Sequence, residues 1–172
     1  CQHVLGIVKL KNFISCRRWN PSGVKFQSVN CDKNRRCGIA KNKKIAIVLF
    51  DEAEVLDFAG PFEIFSVTGR RKIGKPFEVF TVAEKETIRA RNNLIITPTY
   101  TFDSAPVTEI FLVPGGGGYY ADGTPFGSRR EMDNAVMINW VKNQHAKSEL
   151  TLSVCTGALI LAKAGLLNNL QA

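Results

Sequence analysis

LTLSVCTGALILAKAGLL, residues 150–167, is an apolar run that ends in Val154-Cys155-Thr156-Gly157 and passes without a spacer into a helical pattern. A strand that turns sharply into a helix is the geometry of a nucleophile elbow. The turn pushes one side chain out of the sheet edge while the N–H groups that follow stay free. Cys155 stands at that turn. The helix N-terminus places positive potential beside the sulfur, which favours the thiolate that attacks electrophiles. Thr156, Gly157 and Ala158 are small enough for a crowded corner. The competing reading is a buried structural cysteine, since free Cys is among the most buried residue types.

Upstream of the elbow the pattern is regular. An apolar run over 45–50 is what a parallel strand covered on both faces requires. A helical segment follows around 61–67, then strands near 77–83, 94–97 and 109–114. Asp133 can cap a further helix, whose apolar face includes Val136, Met137, Trp140 and Val141. Alternating strands and helices predict an α/β fold: a doubly wound, mostly parallel sheet sandwiched by helices. No internal repeat or low-complexity tract interrupts it.

Two more motifs carry chemistry. Val113-Pro114-Gly115-Gly116-Gly117-Gly118 follows the strand over 109–114, and Tyr119 and Tyr120 come next. Consecutive glycines let the backbone approach a substrate and aim N–H groups at developing negative charge, as an oxyanion hole requires. A plain flexible loop explains the same residues equally well. The G-x-G-x-x-G spacing is absent and no helix opens from the loop, which argues against a dinucleotide site.

In VLDFAGPFEIF, residues 55–65, Asp57 is a lone acid between apolar residues just after the first strand. Desolvation there favours a protonated carboxyl; a cap for the helix containing Pro61 is the alternative. Glu63 falls within the helical pattern and reads as a solvated acid. Convergence favours chemistry for Asp57. The ends of the first strand, the glycine-rich strand and the cysteine strand meet at one edge of a parallel sheet, so Asp57, Gly116 and Cys155 share a pocket. His145 lies near the end of its helix, on the side away from the strand C-termini, and reads as a surface residue.

Charge divides the chain. Residues 1–44 hold eleven of the 23 Lys and Arg and one of the 15 Asp and Glu, a net of +10, so residues 45–172 carry −2 of the formal +8. The chain therefore splits into a basic leader, residues 1–42, and an α/β domain, residues 43–172. The domain has no basic stripe interleaved with aromatics, which excludes nucleic-acid binding by it. The leader shows no sustained period and reads as poorly ordered. Its Cys1, His3, Cys16, Cys31 and Cys37 form no C-x-x-C pair, so no structural zinc is expected. Its apolar run over 4–8 is broken by Gly6 and ended by Lys9, too short for a secretory core or a membrane span. The expected location is cytoplasmic. A basic, acid-poor leader with Ser15, Ser22 and Ser28 fits an organellar transit peptide or a non-native upstream segment.

IAIVLF, LDFAGPFEIF, FLVPGGGG and SVCTGALILAKAGLL, in that order over residues 44–172, resemble the ThiJ/PfpI superfamily and are most similar to its isocyanide hydratase branch. The resemblance implies a flavodoxin-like fold like that of class I glutamine amidotransferases. It implies Cys155 as nucleophile, Asp57 as the acid that hydrogen-bonds it, Gly116 as the backbone oxyanion donor and Thr156 as the hydroxyl after the nucleophile. In the peptidase-like branch a His follows the nucleophile; Thr156 excludes a Cys-His dyad at that position. The implied activity is addition of water to a small electrophile such as an isocyanide, giving an N-substituted formamide without metal or organic cofactor. Because two anions at contact distance repel, Asp57 and Cys155 are expected to share one proton at rest. Relatives commonly form homodimers.

The same motifs occur in the amino-terminal domains of AraC-type regulators, so a non-enzymatic ligand- or redox-sensing domain is the second reading. A helix-turn-helix pair downstream of Ala172 would mark the regulator. In the family the pattern continues past Gly165-Leu166-Leu167 through a Thr-Thr-His-Trp segment to further strands and helices. Here the chain stops at Ala172. It is therefore expected to be a fragment, incomplete at its C-terminus and inactive alone, with apolar sheet and helix faces left uncovered.

Overall fold

The computed structural model describes residues 5–8, 42–69 and 75–168. In chain order the elements are β1 (Leu5–Val8), β2 (Lys43–Leu49), α1 (Val55–Val67), β3 (Phe77–Ala83), β4 (Ile88–Arg89), β5 (Ile95–Ile96), β6 (Tyr100–Thr101) and β7 (Ile110–Val113). Then come β8 (Gly117–Tyr119), β9 (Pro125–Gly127), α2 (Ser128–Glu131), α3 (Ala135–Lys147), β10 (Leu150–Val154) and α4 (Gly157–Lys163). Six strands form one sheet in the order β1-β10-β7-β2-β3-β6. Every pairing in it is parallel except β1 against β10.

Strand β2 sits at the centre because Ile45, Ala46, Ile47 and Val48 have no polar face to offer water, and all four are fully buried. Register then assigns the layers. Ala46 lies beside Phe80 and Phe111, and Phe111 meets Trp140 of α3 edge-on at 6.1 Å. Phe77 and Val79 are on the other side of β3, where Phe77 meets Phe65 of α1 at 5.5 Å. Helices α1 and α3 therefore cover opposite faces, the doubly wound arrangement expected from the alternation. Trp140 stacks on Phe102 at 4.6 Å and donates its indole N–H to the Phe102 carbonyl at 3.2 Å, so its one polar group is satisfied in the core. Fully burying each large core side chain, Phe111, Ile45 or Leu112 among them, contributes about 1.5–3 kcal/mol.

Several local expectations change. Helix α1 begins at Val55, a turn and a half before Pro61, so Asp57 lies in its first turn and the N-cap is Glu54. The cap of α3 is Asn134, one residue past the expected Asp133. Its Oδ1 accepts the N–H groups of Val136 and Met137 at 3.0 and 3.3 Å, while Asp133 pairs with Lys163 of α4 at 3.0 Å. The short strand expected over 94–97 is β5, paired with β4 outside the main sheet. The glycine run leads into a hairpin, β8 against β9. Within the leader, expected to lack order, Leu5–Val8 form an edge strand on β10; the rest of the leader, with all four of its cysteines, lies outside the described residues.

Candidate active site

Strands β10, β7 and β2 are adjacent, so the loops leaving their carboxyl ends lie side by side. These loops hold Cys155, the glycine run and residues 50–54 leading into α1. At the end of β10, Cys155 has φ +50, the left-handed region that non-glycine residues enter only at a cost of about 1–2 kcal/mol. The strain turns the side chain outward: Cys155 is exposed, while Val154 before it and Gly157 after it are buried. A buried structural cysteine is thereby ruled out.

Asp57 is the opposite case, a carboxyl only 2% exposed. Its Oδ2 accepts the Gly115 N–H at 3.2 Å. The reason for glycine at 115 is steric. A methyl group on its Cα would stand 2.8 Å from Asp57 Oδ2, 2.9 Å from Cys155 Cβ and 2.7 Å from the Thr156 nitrogen. The carboxyl and the cysteine thus face each other across the side of Gly115 that bears no side chain. Asp57 does not serve as the helix cap, and Pro61, four residues on, brings no N–H to its carbonyl.

Gly116 is held differently. Its φ is +116, and a Cβ there would overlap the Glu54 nitrogen and lie 2.6 Å from the Glu52 carbonyl oxygen, so the loop before α1 packs flat against it. The Gly116 N–H, expected to face an oxyanion, donates to Thr156 Oγ1 at 3.1 Å. Ser128 completes the cluster. It is fully buried, its Oγ lies 2.7 Å from the Gly116 carbonyl oxygen and 2.9 Å from Thr156 Oγ1, and its N–H reaches the same carbonyl at 2.9 Å.

The loop before α1 is pinned in turn by Asp51. Burial pushes the Asp51 carboxyl up, but the Arg89 N–H at 2.9 Å and the Lys85 ammonium at 2.6 Å outweigh it and hold the group below the usual carboxylate range. His145, at the far end of the sheet, contacts Thr151 Oγ1 through Nδ1 at 2.9 Å and takes no part in the site. Among the described residues no three His, Cys, Asp or Glu side chains group as they would to hold a metal ion. Nor, among them, is any helix long and apolar enough to cross a membrane.

The structure thus brings together Cys155, Asp57, Thr156 and Gly116, the four residues singled out in the sequence. It adds two that sequence reasoning passed over. Gly115 was visible only as one of four consecutive glycines, whose register a run cannot fix. Ser128 had no local signal, because a hairpin separates it from the loop it contacts.

A parallel α/β sheet with a cysteine on a strained strand-to-helix turn, a buried carboxyl beside it and a glycine loop alongside defines a class of protein. Residues 43–172 match the DJ-1/PfpI family, and the chain belongs to it. The chain is 28% identical over 129 residues to the isonitrile hydratase of Pseudomonas putida, covering 75% of this chain and 50% of that protein. Isonitrile and isocyanide are one functional group. Among solved structures, a ThiJ/PfpI family protein from Pseudomonas syringae superposes with a TM-score of 0.61 at 24% identity, over 85% of this chain and 54% of that one. A regulator-like protein from Vibrio parahaemolyticus does so with a TM-score of 0.59 at 18% identity, over 74% and 63%. At these identities the structures bear on the fold alone, the mostly parallel sheet flanked by helices. The chain spans about half the length of the hydratase and of the Pseudomonas syringae protein.

Proposed function

We propose that this domain is the cysteine-bearing part of an enzyme that adds water to a small electrophile, an isocyanide being the best fit. The observation that supports it is the meeting of Asp57 and Cys155 across Gly115. The Cys155 sulfur forms a bond to the terminal isocyanide carbon. The thiol proton reaches that carbon by way of the Asp57 carboxyl, leaving a neutral thioimidate. Water then adds to the same carbon, the C–S bond breaks, the nitrogen takes a proton and the thiol is restored. The sum is one isocyanide and one water giving one N-substituted formamide. A buried carboxyl suits the proton transfer because solvent does not compete for its proton. The cytoplasm and a homodimer are the proposed setting.

The exposure of Cys155 favours one second reading, a redox- or ligand-sensing domain, since an accessible thiol is what an oxidant reaches first. Formamide production from an aryl isocyanide separates the two. It is assayed with this chain and with a chimera carrying the carboxy-terminal half of the Pseudomonas putida isonitrile hydratase, each with Cys155→Ala and Asp57→Asn counterparts. The enzyme reading expects turnover in the chimera, its loss in Cys155→Ala and a fall of roughly 10²–10⁴ in kcat for Asp57→Asn. No formamide from either parent overturns it.

A further inference from the structure

Ser128 has one hydroxyl proton and two acceptors in reach, the Gly116 carbonyl at 2.7 Å and Thr156 Oγ1 at 2.9 Å. The carbonyl already receives the Ser128 N–H at 2.9 Å. Thr156 Oγ1 already receives the Gly116 N–H at 3.1 Å. A hydroxyl oxygen has two lone pairs, and when Ser128 donates to it both are filled. Thr156 can then only donate. Its internal outlet, the Gly116 carbonyl, is 3.5 Å away, at the limit of a hydrogen bond. Ser128 is fully buried, so no water substitutes for it.

We propose that Ser128 is a positioning residue of the Cys155 site: by donating into Thr156 it makes the Thr156 hydroxyl a hydrogen-bond donor toward negative charge that develops on a group bound at Cys155. The Gly116 N–H, expected to face the oxyanion, acts one step removed, polarising the Thr156 O–H from behind. Ser128 touches no reacting atom and works through Thr156. The inference rests on Cys155 as the reacting atom, but not on the identity of the substrate.

The test needs no turnover. Cys155 is modified in parallel by acrylamide, whose addition places negative charge on a carbonyl oxygen, and by iodoacetamide, which expels iodide and builds no oxyanion. Rates are read at the Cys155 peptide by mass spectrometry, with thermal unfolding recorded for each variant. Ser128→Ala and Thr156→Val should each lower the acrylamide-to-iodoacetamide rate ratio about fivefold, the worth of one hydrogen bond. The double variant should fall no further than either alone. Thr156→Ser should keep the wild-type ratio, and Ser128→Cys, of similar size with a weaker donor, should fall between. An unchanged ratio in folded Ser128→Ala or Ser128→Cys overturns the proposal, as does a full additional loss when Ser128→Ala is placed on Thr156→Val. Formamide assays on the same variants judge the hydratase reading separately. A wild-type chain and chimera that both make none, while the chain shows the expected ratios, refute that reading and leave Ser128 in its role.

Discussion

The two ends of β10, β7 and β2 are held by different means. At the amino ends, side chains do the work near solvent: Lys43 pairs with Glu149, the Glu109 carboxylate accepts the Lys44 N–H at 2.8 Å, and Ser148 Oγ donates to the Thr108 carbonyl at 2.9 Å. At the carboxyl ends the backbone is packed without clearance: Gly116 against the backbone of residues 52–54, and Gly115 against the Thr156 nitrogen, the Asp57 carboxyl and the Cys155 Cβ. Long polar side chains can shift or be replaced by water, so the amino end is forgiving. The carboxyl end has no such slack, and a single methyl is too much. Rigidity is concentrated around the thiol and the carboxyl.

The sharpest way to break this contrast is Gly116→Ala. With φ at +116 and backbone atoms on the open side, the added methyl must combine steric overlap with left-handed strain. Together these should cost more than about 3 kcal/mol in urea unfolding. A cost under about 1 kcal/mol would mean the loop before α1 yields easily, and the two ends would differ in appearance only.

Next in size, and opposite in sign, is Cys155→Gly. Cys155 buries little and occupies φ +50, so glycine should relieve strain and stabilise the fold by about 1 kcal/mol while removing the thiol. A lower melting temperature in this variant would show that the turn is not strained and that Cys155 is held by contacts instead.

The smallest effect tests a place where the carboxyl end borrows the methods of the amino end. Asp51 is partly exposed and anchors its loop through Lys85 and the Arg89 N–H. Because its folded pKa is depressed, its contribution is fully present above the unfolded value and is lost as pH falls through the folded one. Asp51→Asn should therefore cost only about 0.5 kcal/mol at neutral pH after screening. The difference from wild type should hold down to about pH 5 and vanish in acid, once Asp51 is protonated in both states. A gap that persists in acid would assign the effect to shape and not to charge.

How much of this was legible beforehand follows from the range of the interactions. Strands β2 and β7 are visible in apolar runs, because burial on both faces leaves a continuous trace in the chain. The order of the three site loops followed from parallel topology, and Asp57 and Cys155 could be paired on that ground. The start of α1 was misplaced because Pro61, a natural first-turn residue, sits inside the helix. Asn134 and Asp133 are equally good caps by type, and only the path of the chain chooses between them. Gly115 and Gly116 are chemically identical, so their different duties exist only in three dimensions. Ser128 illustrates the same limit, since its partners are 12 and 28 residues away.

Strand β1 has a consequence in the order of synthesis. Leu5 pairs with Val154, so β1, made before β10, must wait for it on the order of ten seconds at the pace of a ribosome. No other pairing in the sheet spans so much chain, and contacts of long sequence separation close late. Until β1 docks, one edge of β10 displays its backbone N–H and C=O groups to any extended segment nearby. The last strand before the cysteine is thus open to wrong partners until then, and residues 5–8 supply the cover that closes its edge.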